Sequence, residues 1–100
     1  MEDKNQIIKF LKSNKDFFKQ KFNIVKIGLF GSYARNEQTE KSDLDIIVVF
    51  EDNTEELFDK RIALSKYIGT TFNKKVDVCY EQAIKPVFRD LIMKDANYAF

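Results

Sequence analysis

Two aspartates at the start of an otherwise apolar segment are the residues whose types and spacing point to chemistry. Asp43 and Asp45 begin the run Asp-Leu-Asp-Ile-Ile-Val-Val-Phe at residues 43–50. In a strand, side chains two residues apart lie on one face, with Cα atoms roughly 6.5 Å apart. Two carboxylates on one face repel each other, and Mg²⁺ prefers such oxygen ligands. The spacing therefore predicts a divalent-metal site. The alternative is that both aspartates are caps or turn residues where the strand begins.

A third carboxylate and a Gly-Ser pair are predicted to reach the same place. Asp77 lies near the start of another apolar segment, residues 75–80, and would come level with Asp45 if the two strands are parallel neighbours. Three carboxylates on one face pack poorly, but they suit two metal ions roughly 3.5–4 Å apart. Gly31-Ser32 ends an earlier strand and offers backbone N–H groups and a hydroxyl to a phosphate. The alternatives are a solvent-facing edge residue for Asp77 and an ordinary turn for Gly31-Ser32.

The apolar pattern predicts the elements that must position these residues. The predicted order is α-β-α-β-α-β-α, with helices over residues 3–22, 33–35, 55–68 and 86–95 and strands over residues 24–30, 43–50 and 75–80. The first two strands are expected to be antiparallel because a short loop joins them, and the third helix is expected to be a right-handed crossover between parallel strands. The pattern predicts an α/β (α+β) fold with a small mixed three-stranded sheet and about four helices.

Particular residues are expected to bound these helices or to face the core. Ser32 is expected to cap the short second helix and Thr54 the third, while Gly69 is expected to end the third helix. In the last helix, Val87 and Leu91 are expected to point inward together with Ile92. The helix over residues 3–22 is expected to bury one apolar stripe and to expose its lysines.

Composition excludes several classes of chemistry. The chain has 100 residues, no His and one Cys, which excludes His-containing catalytic triads, imidazole–zinc sites and internal disulfides. Any catalysis must therefore use carboxylates, hydroxyls, lysines or a hard metal ion. The length predicts one domain over residues 1–100, and the lone Cys favours a reducing, cytoplasmic setting. No apolar run is long enough to predict a membrane span, and the polar N-terminus does not resemble a signal peptide.

Charge is distributed unevenly along the chain, although the formal net charge is only +1. Residues 36–60 hold nine carboxylates and two lysines, whereas residues 1–22 hold six lysines and three carboxylates. An acidic middle in a basic surround is typical of a divalent-cation site beside a phosphate-binding surface, although solvated loops and helix faces give the same pattern. The lysines of residues 1–22 do not predict nucleic-acid binding, because such a set is more often a solvated helix face.

Taken together, these residues resemble the signature of the polymerase-beta-like nucleotidyltransferase superfamily. The matching runs are Leu-Phe-Gly-Ser-Tyr-Ala-Arg at residues 29–35 and Ser-Asp-Leu-Asp-Ile-Ile-Val at residues 42–48. More closely, the chain is similar to the minimal nucleotidyltransferase family, also called MNT-type antitoxins, from the first strand to about Phe100. The resemblance implies the nucleotidyltransferase fold, ATP as substrate and two Mg²⁺ ions as cofactor.

The resemblance also implies a role for each matching residue. The implied catalytic and metal-binding residues are Asp43, Asp45 and Asp77, and the implied residues for binding the nucleotide phosphates are Gly31, Ser32 and Arg35. Asp77 matches the carboxylate that helps to bind the catalytic metal and activates the acceptor hydroxyl. Arg35 matches the arginine of the motif, for which phosphate contact and structural pairing are both open. Members often have Gly where this chain has Asn36, which also tolerates a left-handed turn.

The acceptor of the nucleotide is implied by the resemblance alone. In the resembled family the partner is a HEPN-type ribonuclease toxin encoded by a neighbouring gene, and the antitoxin transfers AMP to a tyrosine of that toxin. We therefore expect a Mg²⁺-dependent protein adenylyltransferase that forms a hetero-oligomer with such a toxin. Two alternatives are open: a catalytically silent antitoxin that acts by binding, and nucleotidyl transfer to a small molecule such as an aminoglycoside. Roles for Tyr33 and Tyr98 are also open.

Overall fold

Helices and strands alternate along residues 2–100, which are the residues that this computed structural model describes. The helices are α1 (Lys4–Ser13), α2 (Lys15–Phe22), α3 (Gly31–Ala34), α4 (Leu57–Phe72) and α5 (Pro86–Asp95), and a 3₁₀ turn spans Glu81–Ala83. The strands are β1 (Ile24–Phe30), β2 (Leu44–Phe50), β3 (Val76–Tyr80) and β4 (Asn97–Tyr98). Within the described residues, no helix has both the length and the apolar character needed to cross a membrane.

The four strands form one mixed sheet in the order β3-β2-β1-β4. β1 is antiparallel to β2 and to β4, whereas β2 and β3 are parallel and joined by α4. The pairing of the three long strands confirms the prediction. The predicted strand count was wrong by one, because β4 has only two residues and a segment that short shows no alternating pattern.

The hydrophobic core lies on one face of this sheet. Every second residue of β2, beginning with Leu44 and Ile46, points into it, and the helices α1, α2 and α4 cover it. The helical residues that are buried there are Ile7, Leu11, Phe18, Phe22, Leu64 and Ile68. Phe18 packs edge-on to Tyr67 of α4, with ring centroids 6.0 Å apart. The intervening residues of β2, Asp45 among them, therefore point to the opposite face.

The single helix predicted over residues 3–22 is two helices that meet at Asn14. The backbone of Asn14 leaves the helical region, and its side-chain amide donates a hydrogen bond of 2.8 Å to the carbonyl of Phe10. A side chain that occupies a backbone carbonyl in this way competes with the helical hydrogen bonds. The predicted apolar stripe is nevertheless buried, because α2 continues on the same side of the sheet.

Two predicted boundaries of α4 were wrong. Gly69 does not end the helix, which continues to a left-handed cap at Asn73. A Cβ atom on Gly69 would lie 2.8 Å from the carbonyl oxygen of Lys74, so glycine is required there by the close approach of the following loop. Thr54 does not cap the helix either, because α4 begins after Glu56 and the Thr54 hydroxyl bonds to the carbonyl of Glu51 instead.

The bounds predicted for α5 are confirmed, but its predicted inward face was wrong. Val87 is 79% exposed and Leu91 68% exposed, whereas Ile92 is partly buried. Periodicity predicts which residues share a helix face, but not whether another element covers that face. Here α5 packs against β1 and α3, and the apolar residues Val87, Phe88 and Leu91 on its outer face are exposed within residues 2–100.

The end of α2 provides a test of the local conformation. Asn23 has φ 59°, and its N–H bonds back to the carbonyl of Lys19. A side chain with a Cβ is strained in this left-handed region, and Asn and Gly tolerate it best. Asn23→Ala should lower the free energy of unfolding by about 1 kcal/mol, whereas Asn23→Gly should leave it within about 0.5 kcal/mol of wild type.

Urea denaturation measures both variants, with Asn5→Ala as the control. Asn5 is exposed within α1, where alanine is favourable. Equal stability for Asn23→Ala and Asn5→Ala would contradict a left-handed cap at residue 23.

Candidate active site

The structure brings the three predicted carboxylates to neighbouring strand positions. Asp45 of β2 is the register partner of Asp77 of β3 in the parallel pair. Asp43 immediately precedes β2 and lies two residues before Asp45, which places both on the sheet face away from the core. Asp43 and Asp77 are exposed, whereas Asp45 is partly buried. The arrangement is an acidic cluster with one partly buried member between two exposed ones.

Gly31 lies directly against the central carboxylate of this cluster. Its φ is 73°, and a Cβ atom built on it would lie 3.0 Å from Cγ of Asp45 and closer still to one carboxylate oxygen. This contact arises because Phe30, the last residue of β1, is the antiparallel partner of Asp45. The end of β1 therefore meets the start of β2, as predicted. Glycine is required here both for its backbone conformation and for the space that the carboxylate occupies.

The electrostatics of the cluster show an unneutralised charge. The pKa of Asp45 is raised to about 6, first by partial burial and then by the neighbouring charges of Asp77 and Asp43. Arg35 opposes this shift only weakly. The ion pairs formed within residues 2–100 involve other carboxylates, so these three aspartates have no salt-bridge partner there. A cation placed among them would lower the pKa of Asp45 and relieve the repulsion.

The donor set fits a hard divalent ion that takes part of its coordination from elsewhere. Within residues 2–100, no three His, Cys, Asp or Glu side chains are arranged as a closed metal-binding group. Mg²⁺ rarely needs such a cage, since it is usually held by one or two carboxylates together with waters and substrate phosphates. Open carboxylates beside a glycine-lined surface are therefore suited to a metal–nucleotide complex rather than to a structural metal.

Ser32 and Arg35 occupy the short helix after β1 and the turn that follows it. Ser32 lies inside α3 rather than before it, because the helix begins at Gly31 with Phe30 as its cap, so the predicted capping role was wrong. The Ser32 side chain is partly exposed beside Gly31. The Arg35 guanidinium donates to Asp95 at 2.9 Å and to Glu37 at 3.2 Å, and the bond to Asp95 contributes most to raising its pKa. Of the two roles left open for Arg35, this structure therefore shows structural pairing.

A second polar cluster on the same sheet face was missed by the sequence reasoning. Lys26 of β1 lies 3.3 Å from a carboxylate oxygen of Glu81 and 4.0 Å from the centroid of the Tyr98 ring. The Tyr98 hydroxyl donates to the same carboxylate, and this bond lowers the pKa of Glu81. The pKa of Tyr98 is raised by burial first and then by the same bond. Only tertiary structure joins these residues, because 55 positions separate Lys26 from Glu81. Of these three residues, only Tyr98 was considered in the sequence analysis, where its role was left open.

Two further side chains are placed away from any substrate role. Tyr33 is fully buried in the core, and its hydroxyl has no hydrogen-bond partner within the described residues. Cys79 is partly buried beside Ile47, and burial raises the pKa of its thiol. A raised pKa keeps the thiol protonated, so packing is the role that its surroundings support.

Comparison with known sequences gives the family. The family described as "Nucleotidyltransferase domain" matches residues 7–99. "Putative protein adenylyltransferase MJ0128" of Methanocaldococcus jannaschii is 39% identical over 99 residues, which cover 98% of this chain and 99% of the relative. "Protein adenylyltransferase MntA" of Thermococcus cleftensis is 31% identical over 93 residues, which cover 93% of this chain and 92% of the relative.

Solved structures share the fold. A minimal nucleotidyltransferase structure, itself named as putative, superposes with a TM-score of 0.75 at 24% identity, covering 96% of this chain and 95% of that one. A complex of a tri-AMPylated HEPN toxin from Shewanella oneidensis with an MNT antitoxin gives a TM-score of 0.62 at 17% identity, covering 93% of this chain and 71% of the matched one. With the family match over residues 7–99 and relatives above 30% identity, this chain belongs to the nucleotidyltransferase family and is a nucleotidyltransferase of its minimal, MNT-type branch.

Proposed function

We propose that this chain is a Mg²⁺-dependent protein adenylyltransferase that transfers AMP from ATP to a tyrosine of a HEPN-type toxin and thereby acts as its antitoxin. The observation that carries the proposal is the convergence of Asp43, Asp45 and Asp77 beside Gly31. Two relatives bear the name protein adenylyltransferase, and one structural neighbour is a complex of an AMPylated toxin with its antitoxin. The same proposal takes residues 1–100 as one nucleotidyltransferase domain.

The carboxylates supply the metal-binding half of this proposed site. Asp43, just before β2, and Asp45 within β2 would hold the ion on one side, and Asp77 of β3 would hold it on the other. When bound, Mg²⁺ neutralises charge on the nucleotide phosphates and on these carboxylates. The raised pKa of Asp45 supports this assignment, because partial burial and then the charges of Asp77 and Asp43 disfavour its ionised form, which a bound cation would favour.

The remaining residues would bind the nucleotide, and Asp77 would accept the proton of the acceptor hydroxyl. The bare Cα of Gly31 lets a phosphate approach the backbone, and the neighbouring Ser32 hydroxyl can donate to a phosphate oxygen. The acceptor hydroxyl attacks the α-phosphorus, the bond from that phosphorus to the bridging oxygen breaks, and pyrophosphate leaves. Asp77 is exposed, so a hydroxyl from another protein can reach it and give up its proton to the carboxylate. Catalysis in this scheme is positioning and charge neutralisation.

A neutralisation assay separates catalysis from simple binding. Cells that express the proposed HEPN-type partner toxin should grow when wild-type chain is co-expressed and should fail with Asp43→Ala, whose rate of transfer should fall by at least about 100-fold. Asp52→Ala is the matched control, because Asp52 is an exposed carboxylate in the turn after β2, at the other end of that strand. Equal neutralisation by Asp43→Ala and wild type would refute the catalytic proposal and favour an antitoxin that acts by binding.

A further inference from the structure

The strand that carries Asp77 lies at the edge of the sheet. In the order β3-β2-β1-β4, only β2 pairs with β3. The carbonyl of Lys75 accepts a hydrogen bond from Leu44, so the alternate carbonyls of Val76 and Val78 point away from β2. An edge strand presents such groups without ladder partners, and it is held less firmly than a central strand. Asp77 therefore lies on the least supported of the three long strands.

Two side chains of α4 bind the outward carbonyls on both sides of Asp77. Ser65 Oγ donates to the carbonyl of Val76 at 2.8 Å, and Arg61 Nε donates to the carbonyl of Val78 at 3.0 Å. Residues four apart on a helix rise by roughly 6 Å, which matches the roughly 6.6 Å between alternate strand residues. The two donors therefore fit the two acceptors without distortion of either element.

These two bonds lie at the solvent-facing side of the contact between α4 and β3. An open cavity of about 240 Å³ lies beside them and is lined by both donors and by Asp77. The guanidinium of Arg61 also lies 5.8 Å from the Tyr80 ring, at the end of the same strand. Because each outward carbonyl is bonded by one of these side chains, removing either donor would leave the peptide on one side of Asp77 without that bond.

We propose that Arg61 and Ser65 are positioning residues for Asp77. By fixing the peptide on each side of it, they keep the carboxylate level with Asp45, where both can act on one metal–nucleotide complex. The inference rests on the proposed function of the carboxylate cluster. It goes beyond that function by assigning a role in it to two residues of α4 that lie outside the carboxylate cluster and bond to the backbone of β3.

The test measures metal binding separately from transfer. Mn²⁺ is titrated into each variant with a non-hydrolysable ATP analogue present, and free Mn²⁺ is followed by electron paramagnetic resonance. Arg61→Ala and Ser65→Ala should each weaken Mn²⁺ binding by about tenfold, which is the effect expected when support for a metal ligand is lost. Arg61→Lys should recover part of this loss, because an ammonium group can donate to the same carbonyl.

The control variant is Lys66→Ala, and transfer kinetics give a second readout. Lys66 is exposed and lines the same cavity. The Lys66→Ala variant should keep its Mn²⁺ affinity within about twofold of wild type. In the positioning variants kcat should fall by about tenfold or more, while KM for ATP should stay close to wild type. If Arg61→Ala and Ser65→Ala lower only the thermal midpoint and bind Mn²⁺ as tightly as Lys66→Ala does, the proposal is overturned.

Asp77→Asn distinguishes failure of this inference from failure of the proposed function. If Asp77→Asn leaves Mn²⁺ affinity unchanged, there is no metal ligand to position and the inference is wrong. If Asp77→Asn, Arg61→Ala and Ser65→Ala all weaken Mn²⁺ binding but wild type transfers no AMP to the toxin, the positioning role stands and the proposed acceptor is wrong.

Discussion

Asp45→Asn should abolish AMP transfer and, at the same time, stabilise the metal-free protein. The variant removes a partly buried carboxylate near Asp77 and Asp43, and with it the burial of a charge and the repulsion that together raise the pKa of Asp45 to about 6. We expect transfer to fall by at least about 100-fold. The free energy of unfolding at pH 8 without metal should rise by about 1 kcal/mol. The gain is no larger because Asp45 is only partly buried and solvent screens its charge. Radiolabel transfer and thermal unfolding measure the two effects.

The pH dependence of stability has a defined sign for this residue. The pKa of Asp45 in the folded protein, about 6, lies above its ordinary value of 3.8, so protonation favours the folded state. The destabilisation is fully present above the folded pKa and is relieved as the pH falls from about 6 to about 4, with no further change below the unfolded pKa. Wild type should therefore gain stability relative to Asp45→Asn in that window. Identical pH profiles for the two proteins would contradict a raised pKa.

Added Mg²⁺ should reverse the ranking of the two proteins. A ligand that binds only the folded state stabilises it by mass action. Wild type should thus show a higher thermal midpoint when Mg²⁺ and a non-hydrolysable ATP analogue are added, and Asp45→Asn should show little change. A comparable rise in both proteins would place the bound ion away from Asp45.

Gly31→Ala should inactivate the enzyme through a steric effect. The new Cβ would lie 3.0 Å from Cγ of Asp45, and residue 31 has φ 73°. The carboxylate must therefore move, and alanine must adopt a conformation that costs about 1–2 kcal/mol. Because misplacement of a reacting group by 1 Å can cost about 100-fold, transfer should fall by at least that factor. Steady-state kinetics and urea denaturation measure the two effects.

Asn53→Ala is the matched control for backbone strain. Asn53 has φ 62° and lies in the turn after β2, whereas Asp45 lies near the beginning of that strand. This variant should lose about 1 kcal/mol of stability for the same reason as Gly31→Ala, while its transfer rate stays near that of wild type. If the two variants lose transfer activity equally, the contact between residue 31 and Asp45 does not explain the inactivation.

The sheet could be predicted because its strands differ in pattern from the helices and because connection length constrains their direction. A helical crossover is the connection that a parallel pair of β2 and β3 needs, and the register of that pair brings Asp45 level with Asp77. Hydrophobic periodicity does not show the break at Asn14, where the side-chain amide bonds to the Phe10 carbonyl. It also does not show that Gly69 serves the close approach of the Lys74 carbonyl rather than the end of α4. The two-residue β4 is too short to show a period.

The candidate site was predicted as a set of residues but not as a geometry. Spacing alone grouped Asp43 with Asp45, and the strand order added Asp77. The packing of Gly31 against the Asp45 carboxylate became visible only in the folded chain. The same holds for the bonds from α4 to the edge of β3, because a serine or arginine on an amphipathic helix gives no sign of which distant carbonyl it reaches.

The intact mass of the toxin tests the proposed function most directly. The HEPN-type toxin proposed as the partner is incubated with ATP, Mg²⁺ and either wild-type chain or Asp45→Asn, and both products are analysed by mass spectrometry and peptide mapping. We expect wild type to add whole AMP units to the toxin, located on tyrosine, and Asp45→Asn to add none. A toxin that is neutralised by wild type while its mass is unchanged would contradict adenylylation as the mechanism.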